Sequence, residues 1–210
     1  MAHKLGAGQI PPLSFVTDKS GIYYDPTAPS DLEHLISQCP TLRQDQQVRI
    51  ERLVARIISS QISKYNLSGT PIDLPNGHKI LVPGQVEDDA SIMKGCDDIR
   101  TNLGLLKRVR TDNPNSIIIY KPHPDVVARL RLGAIDDDII TQYADITAST
   151  ANISDLLSKV DAVHTMTSLT GFEALLRKIP VTTYGTPFYA GWGLTTDHGS
   201  QSTRRDCIAT

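Results

Sequence analysis

Short apolar runs alternate with amphipathic stretches from residue 77 onward, and this alternation restricts the fold more than any other feature. The apolar runs are typical of buried strands and lie at 79–82, 116–120, 162–164 and 181–184. The amphipathic stretches predict helices at roughly 91–110, 126–132, 153–160 and 169–177. Strands and helices that alternate in this way form a parallel sheet covered by helices. We therefore predict a Rossmann-like α/β domain over 77–199.

The chain on either side of this region has a different pattern. Residues 1–76 are predicted to form a turn-rich, mostly helical segment, and residues 200–210 an unpatterned polar tail. Ser30, with Glu33 three residues later, matches a capping box and predicts a short helix to about residue 38. A second helix is predicted at 44–65 from apolar residues at helical spacing, namely Val48, Leu53, Val54, Ile57, Ile58 and Ile62.

Composition excludes several classes of partner. A net charge of −2 argues against nucleic acid or an anionic membrane as the main partner. No apolar run approaches the roughly 20 residues needed to span a bilayer. The first nine residues lack the apolar core of a secretory signal, which predicts a cytoplasmic protein. The three cysteines, Cys39, Cys96 and Cys207, are too widely spaced for a zinc site and are predicted to be buried or incidental thiols.

Ligands of such sheets bind beyond the carboxyl ends of the strands, so the residues that follow each strand are the candidates for function. Glu87, Asp88 and Asp89 follow the first strand. One carboxylate there could stabilise or attack a cationic sugar centre. A solvated loop, or acids favoured by a helix dipole, explains the same residues, and both interpretations stay open.

A proline-clamped histidine follows the isoleucine-rich strand, in the sequence Lys121-Pro122-His123-Pro124. The two prolines make the turn rigid and hold His123 at the ligand edge of the sheet. A histidine there can donate a hydrogen bond to a phosphate oxygen and assist its departure. A turn histidine with no ligand is the alternative.

Hydroxyl residues cluster where the third strand meets a helix, at Thr165, Thr167, Ser168 and Thr170. The free N–H groups of a helix N-terminus attract anions, and the hydroxyls add donors. Ordinary capping by Thr167 or Ser168 explains one of the hydroxyls. Gly171 permits close approach of a ligand or of neighbouring backbone, and Glu173 either accepts hydrogen bonds from ribose hydroxyls or is an ordinary helix acid. The aromatic loop 184–193 suits a sugar or base platform, or a packed structural loop.

Several motifs together resemble one family. They are GIYYDP and PSDLE, SKYNL, ILVPGQVEDDASI, YKPHPDV, HTMTSLTGFEALLR and VTTYGTPFYAGWGLTTD, in this order. The chain is similar over most of its length, from about Leu5 to Asp197, to the capsule polysaccharide biosynthesis family, and specifically to the KpsC-type β-Kdo transferases of Gram-negative bacteria.

This resemblance implies the C-terminal, donor-binding half of a GT-B-like glycosyltransferase that uses CMP-Kdo. His123, Pro124 and the hydroxyls of Thr167, Ser168 and Thr170 would hold the CMP phosphate, beside Gly171 and Glu173. One carboxylate among Glu87, Asp88 and Asp89 would be the nucleophile of a retaining mechanism, with Asp88 favoured, and Lys121 would pair with the sugar carboxylate or the phosphate. No metal or cofactor is expected, because the leaving group carries a single phosphate.

The same resemblance implies a β-Kdo linker on a phosphatidylglycerol lipid as product, at the cytoplasmic face of the inner membrane, with other capsule synthesis and export proteins as further partners. The chain is shorter than one complete module, so we expect a donor half that binds CMP or CMP-Kdo weakly and transfers poorly alone. The alternatives are a non-catalytic nucleotide-binding or assembly subunit, and a transferase for another CMP-activated acidic sugar.

Overall fold

The computed structural model describes residues 15–38, 41–64, 69–200 and 205. In this part of the chain, six parallel strands form one sheet in the order β3-β2-β1-β4-β5-β6. The strands are β1 Lys79–Pro83, β2 Ile117–Lys121, β3 Ile146–Thr147, β4 Ala162–Thr165, β5 Val181–Thr183 and β6 Thr196–Asp197. The helices are α1 Asp31–Gln38, α2 Gln44–Ser59, α3 Ala90–Gly95, α4 Asn102–Asp112, α5 Pro124–Val127, α6 Asp137–Tyr143, α7 Ile153–Leu157 and α8 Leu169–Leu175. The Rossmann-like α/β fold predicted from the sequence is confirmed.

The central strands β1 and β2 are apolar over their middle positions, and both faces of the sheet are covered there. Leu81 of β1 lies opposite Ile119 of β2 and Val163 of β4, and all three contribute to the core on one face. Their neighbours Ile80 and Ile118 point to the core on the other face. A strand buried on both sides gains from an apolar residue at every position, which is why the continuous runs in the sequence predicted these strands correctly.

Helices on each face complete the two cores. Leu105, Leu106 and Val109 of α4, with Ile140 of α6, cover one face. Leu156 and Leu157 of α7 pack on the other face. The segment before β1 also belongs to the second core, since it packs there through Ile72 and Leu74.

The helix predicted at 91–110 is wrong as a single element, because it consists of α3 and α4 with a break between them. Cys96 is extended, with φ of −126° and ψ of 136°, and ends α3. Thr101 starts α4 by accepting a hydrogen bond from the Gly104 N–H. The break lets the Gly95 carbonyl accept from the Thr186 N–H at 2.7 Å, so a tertiary contact overrides the local helical pattern.

The predicted helices also extend too far where no glycine marks the end. Gln61, Arg129 and Lys178 have positive φ values of 51°, 56° and 59°. After α2, the Ile62 N–H donates to the Ile57 carbonyl and the Gln61 N–H to the Ile58 carbonyl, which is the Schellman pattern. Sequence reasoning finds such ends mainly from glycine and therefore missed them here. The helix predicted at 44–65 ends at Ser59, and the helix predicted at 126–132 is the single turn Pro124–Val127.

Three short elements have no counterpart in the prediction, namely α6, β3 and β6. Two-residue strands such as Ile146–Thr147 are too short to show a periodic pattern.

Some of the remaining predictions fall outside the described residues. Of the predicted tail 200–210, the structure describes Ser200 and Arg205, and of the three cysteines it describes Cys96. Burial raises the pKa of the Cys96 thiol to about 12, which leaves it protonated and unreactive. In the described ranges no helix is both long and apolar enough to cross a bilayer.

Candidate functional site

The strand order places a crevice between β1 and β4. The chain winds outward in opposite directions from these two neighbouring strands, and such a switch point opens a ligand crevice at the carboxyl ends of the strands. The acid loop after β1, the His123 turn after β2 and the hydroxyl cluster after β4 all lie at this edge. The three segments singled out in the sequence are therefore brought together.

Gln85 joins the two sides of this crevice. Its side-chain nitrogen donates to Thr167 Oγ1 at 2.9 Å. Its oxygen accepts from the Thr167 N–H at 3.0 Å and from Thr165 Oγ1 at 3.2 Å. Sequence reasoning passed over Gln85, although its position directly after a buried strand could have indicated it. The network fixes the hydroxyl cluster against the end of β1.

Asn102 holds the acid loop from behind. Its amide nitrogen donates to the Gln85 and Gly133 carbonyls, and its oxygen accepts from the Gln85 N–H at 2.8 Å. Glu87 Oε1 accepts from the Asn102 N–H at 2.7 Å, at the first residue of α4. The Glu87 carboxylate therefore stabilises the start of a helix.

The other two acids of the loop differ in their surroundings. Asp88 pairs with Arg131 at 3.0 Å, and its side chain is 48% exposed. Asp89 caps α3, with one oxygen accepting from both the N–H and the hydroxyl of Ser91. Thr167 of the hydroxyl cluster donates in turn to Ser91 Oγ at 3.3 Å. Asp89 is thus coupled to the crevice, while Asp88 is drawn towards Arg131.

His123 is half-buried and has a defined tautomer. Its Nδ1 accepts from the Asp125 N–H at 3.2 Å, which caps α5. Burial lowers the His123 pKa, and the negative charges of Asp125 and Asp89 partly offset this. A backbone N–H can only donate, so Nδ1 has to be unprotonated and the neutral ring carries its proton on Nε2. His123 can therefore offer a hydrogen-bond donor to an anion, and Pro124 fixes the first position of α5.

Lys121 lies at the end of β2, where burial lowers its pKa. Its ammonium group reaches the carbonyls of Ala148 and Ser149 at 3.4 and 3.5 Å. These contacts are long for hydrogen bonds and leave the side chain able to turn to an anion at the same edge.

The hydroxyl groups after β4 are divided between structural bonds and the crevice. Thr165 Oγ1 accepts from the Ser168 N–H at 3.2 Å. Ser168 caps α8 by accepting from the Thr170 N–H. Within the described residues, the half-buried hydroxyl of Thr170 makes no hydrogen bond, so it is the member of the cluster best placed to serve a ligand.

Gly171 lies against the side chain of Tyr189, which leaves no room for a Cβ at this position. A Cβ at this position would lie 2.2 Å from Tyr189 Oη. The Tyr189 hydroxyl donates to the Ser168 carbonyl, so it is held in that place. The sequence suggested close approach of a ligand or of neighbouring backbone, whereas the structure shows close approach of a side chain, that of Tyr189.

Gly171→Ala is expected to destabilise the protein by about 1–3 kcal/mol, because Tyr189 must move and lose its bond to Ser168. Urea denaturation measures this loss. Adding Tyr189→Phe removes the nearest clashing atom and is expected to reduce the cost of the alanine, without abolishing it because Cζ still lies 2.8 Å from the added Cβ. An equal loss in both backgrounds would mean that the contact with the tyrosine hydroxyl is not the reason for the glycine.

Glu173 is the buried carboxylate of the site. Its Oε1 accepts from the Lys64 N–H at 2.9 Å. Its Oε2 is buried and has no hydrogen-bond partner in the described structure, and burial raises the pKa of this carboxyl group. An unsatisfied buried acceptor is unfavourable by about 1–3 kcal/mol, so a ligand donor at Oε2 would relieve it.

The aromatic loop is a packed structural loop. Tyr184, Tyr189 and Trp192 are all buried, and the Trp192 indole N–H donates to the Phe188 carbonyl at 2.9 Å. This arrangement favours the structural interpretation over a sugar platform. In the part of the chain that the structure describes, no group of three or more His, Cys, Asp or Glu residues could hold a metal ion.

Comparison with known proteins gives the family. The sequence profile described as "Capsule polysaccharide biosynthesis protein" matches residues 2–74 and 45–207. The chain belongs to this capsule polysaccharide biosynthesis family.

Two relatives have names that refer to bacterial surface polysaccharides. The chain is 51% identical over 195 residues to the capsule polysaccharide modification protein LipA of Neisseria meningitidis serogroup A. The alignment covers 92% of this chain and 28% of LipA. The chain is 41% identical over 198 residues to the lipopolysaccharide-processing protein LpsZ of Rhizobium meliloti, covering 92% of this chain and 45% of LpsZ.

Two solved structures share the fold. They are the β-Kdo 2,4 transferase of Thermosulfurimonas dismutans KpsC, with a TM-score of 0.83 and 33% identity, and the β-Kdo 2,7 transferase of the same KpsC, with a TM-score of 0.76 and 39% identity. The likeness covers 96% and 92% of this chain, and 64% and 59% of those chains. The KpsC-type resemblance is confirmed, and the chain spans less than two thirds of each relative.

Proposed function

We propose that this chain provides the donor-binding half of a GT-B-like glycosyltransferase that transfers Kdo from CMP-Kdo. The observation that carries the proposal is the crevice between β1 and β4, where the His123 Nε2 donor and the unpartnered Glu173 Oε2 acceptor occupy the same edge of the sheet. The two KpsC transferases with this fold support the reaction class. The product would be the β-Kdo linker on a lipid acceptor, made at the cytoplasmic face of the membrane.

In this proposal hydrogen-bond donors of the protein bind the phosphate of the nucleotide, and a hydrogen-bond acceptor binds its ribose. The phosphate accepts hydrogen bonds from His123 Nε2 and the Thr170 hydroxyl, and Lys121 lies within reach of the sugar carboxylate or the phosphate. The ribose hydroxyls donate to Glu173 Oε2, which satisfies its buried acceptor. The leaving group bears one phosphate, so the residues present suffice to bind it without a metal.

For the chemistry, the geometry favours Asp89 over Asp88 as the nucleophile. Ser91 fixes one Asp89 oxygen and links it to Thr167, whereas Asp88 is held by Arg131. In the first step an Asp89 oxygen bonds to the anomeric carbon, the bond from that carbon to the phosphate oxygen breaks, and CMP leaves with the electron pair. In the second step the acceptor hydroxyl attacks this carbon, its proton passes to solvent, and the bond to Asp89 breaks to release the carboxylate. Two inversions retain the configuration.

Isothermal titration calorimetry with CMP, CMP-Kdo, CMP-sialic acid and a UDP-sugar tests the donor class. His123→Asn is expected to weaken CMP binding by about 10- to 100-fold, because an asparagine amide that caps α5 is too short to donate to the phosphate oxygen that His123 Nε2 would reach. Asparagine still caps α5, so the fold is preserved. His78→Asn, at the opposite end of β1, is the matched control and is expected to bind CMP as the wild type does.

Each result of the titration has a clear meaning. Equal affinity for UDP-sugars and CMP-sugars would contradict the assigned donor class. Tighter binding of CMP-sialic acid than of CMP-Kdo would favour another acidic sugar. CMP-Kdo binding without any covalent adduct or transfer, even when the partner half is supplied, would favour the non-catalytic nucleotide-binding subunit.

A further inference from the structure

The turn that follows α2 is attached to the sheet domain at two points. Ser154 of α7 donates through its hydroxyl to the Gln61 carbonyl at 3.0 Å. Three residues later the Lys64 N–H donates to Glu173 Oε1 at 2.9 Å, across 109 positions of sequence. Ser63, between these bonds, is buried. The turn is therefore fixed against α7 and α8, and the position of the Lys64 backbone is set by the site itself.

These attachments place the Lys64 backbone beside Glu173. The Lys64 backbone rests on the Glu173 carboxylate, and its side chain is exposed at that edge. Burial is the main cause that lowers the His123 pKa, and the Lys64 charge adds to it. Burial likewise raises the Glu173 pKa, and the Lys64 charge opposes this change. The Lys64 charge thus influences both groups.

A phosphate at the crevice would gain from a positive charge in addition to that of Lys121. His123 is neutral and offers a hydrogen bond without a charge. Arg131 is paired with Asp88, and Lys121 leans towards the Ala148 and Ser149 carbonyls. A nucleotide phosphate is an anion, and a lysine ammonium group binds it as a point charge.

We propose that Lys64 is a phosphate-binding residue of the donor site, contributed by the segment that precedes the sheet domain and positioned by its backbone bond to Glu173. This inference rests on the proposed function. It makes Glu173 a bifunctional residue, since one oxygen positions the phosphate-binding lysine and the other accepts from the ribose. The N-terminal segment then forms part of the binding site.

Titration of Lys64→Met with CMP and with cytidine tests this role. The variant is expected to lose about 10- to 100-fold in CMP affinity, because a charged hydrogen bond to the phosphate is removed, while cytidine binding stays as in the wild type. Lys64→Arg is expected to recover most of the CMP affinity. Lys178→Met changes an exposed lysine in the turn between α8 and β5, at the opposite edge of the sheet, and is expected to change neither ligand.

Two results would overturn the inference while the proposed function stands. One is wild-type CMP affinity in Lys64→Met together with weakened binding in His123→Asn. The other is an equal loss of CMP and cytidine in Lys64→Met, which would indicate a structural role for the turn. A wild-type chain that binds neither CMP nor CMP-Kdo would instead overturn the proposed function itself, and the inference with it.

Discussion

Asp89→Asn is expected to abolish the covalent sugar adduct formed from CMP-Kdo, whereas Asp88→Asn is expected to retain it. An amide nitrogen or oxygen is a far weaker nucleophile than a carboxylate oxygen, so the first step stops when the reacting residue is changed. Asp89 has one oxygen fixed by Ser91, and Ser91 is bonded to Thr167 of the crevice. Intact-mass spectrometry of the chain mixed with CMP-Kdo, followed by peptide mapping, measures the adduct and its position.

The substitutions are matched in size and leave the fold intact. Asparagine is as good a helix cap as aspartate, so α3 keeps its start in Asp89→Asn. The Asp88–Arg131 pair is about half exposed, and its loss is expected to change stability by less than about 1 kcal/mol. An adduct that persists in Asp89→Asn and disappears in Asp88→Asn would reverse the assignment and support Asp88, the residue favoured by the sequence alone.

The sheet was predictable because its central strands are buried on both faces. Ile118 and Ile119 belong to opposite cores, and Ile80 and Leu81 do the same one strand away. Such strands have consecutive apolar residues over their buried positions, and the pattern is visible without knowledge of their neighbours. The edge strands β3 and β6 each have two residues and depend on pairing with longer strands, which sequence periodicity does not report.

The helix boundaries were less predictable for a different physical reason. Cys96 takes an extended conformation while the adjacent Gly95 carbonyl bonds to Thr186, a residue 91 positions further along the sequence. Gln61 and Arg129 end their helices in the left-handed conformation that glycine usually adopts. The first break is accompanied by a contact distant in sequence, the other two ends are closed by local bonds, and no glycine marks either of the last two.

The sequence predicted the candidate residues of the site but not the hydrogen bonds that hold them in place. The strand-end rule located the acids, His123 and the hydroxyl cluster at one edge of the sheet. Gln85, Asn102 and Lys64 escaped notice because their roles consist of bonds to residues far along the chain. The presence of a glutamine or asparagine in a sequence does not indicate such a role, so the supporting hydrogen bonds are found only from the structure.

Arg205→Met is expected to lower the free energy of unfolding by about 3–5 kcal/mol, because it removes one partner of a buried ion pair with Glu33. Arg205 Nε donates to Glu33 Oε2 at 3.2 Å, and the two side chains are 3% and 7% exposed. The same guanidinium group donates to the Pro187 and Ala190 carbonyls, so it joins α1 to the aromatic loop. Domains of this size are stable by about 5–15 kcal/mol, which makes the loss easy to detect by urea denaturation.

The double variant Glu33→Met with Arg205→Met separates the two parts of this effect. Removing both charges also removes the cost of burying the Glu33 carboxylate, so the double variant is expected to be more stable than Arg205→Met alone. Arg43→Met breaks a pair of similar length whose side chains are 70% and 71% exposed, and serves as the control with an expected loss below about 1 kcal/mol. If Arg205→Met were no less stable than Arg43→Met, the buried pair would not be what fastens α1 to the aromatic loop.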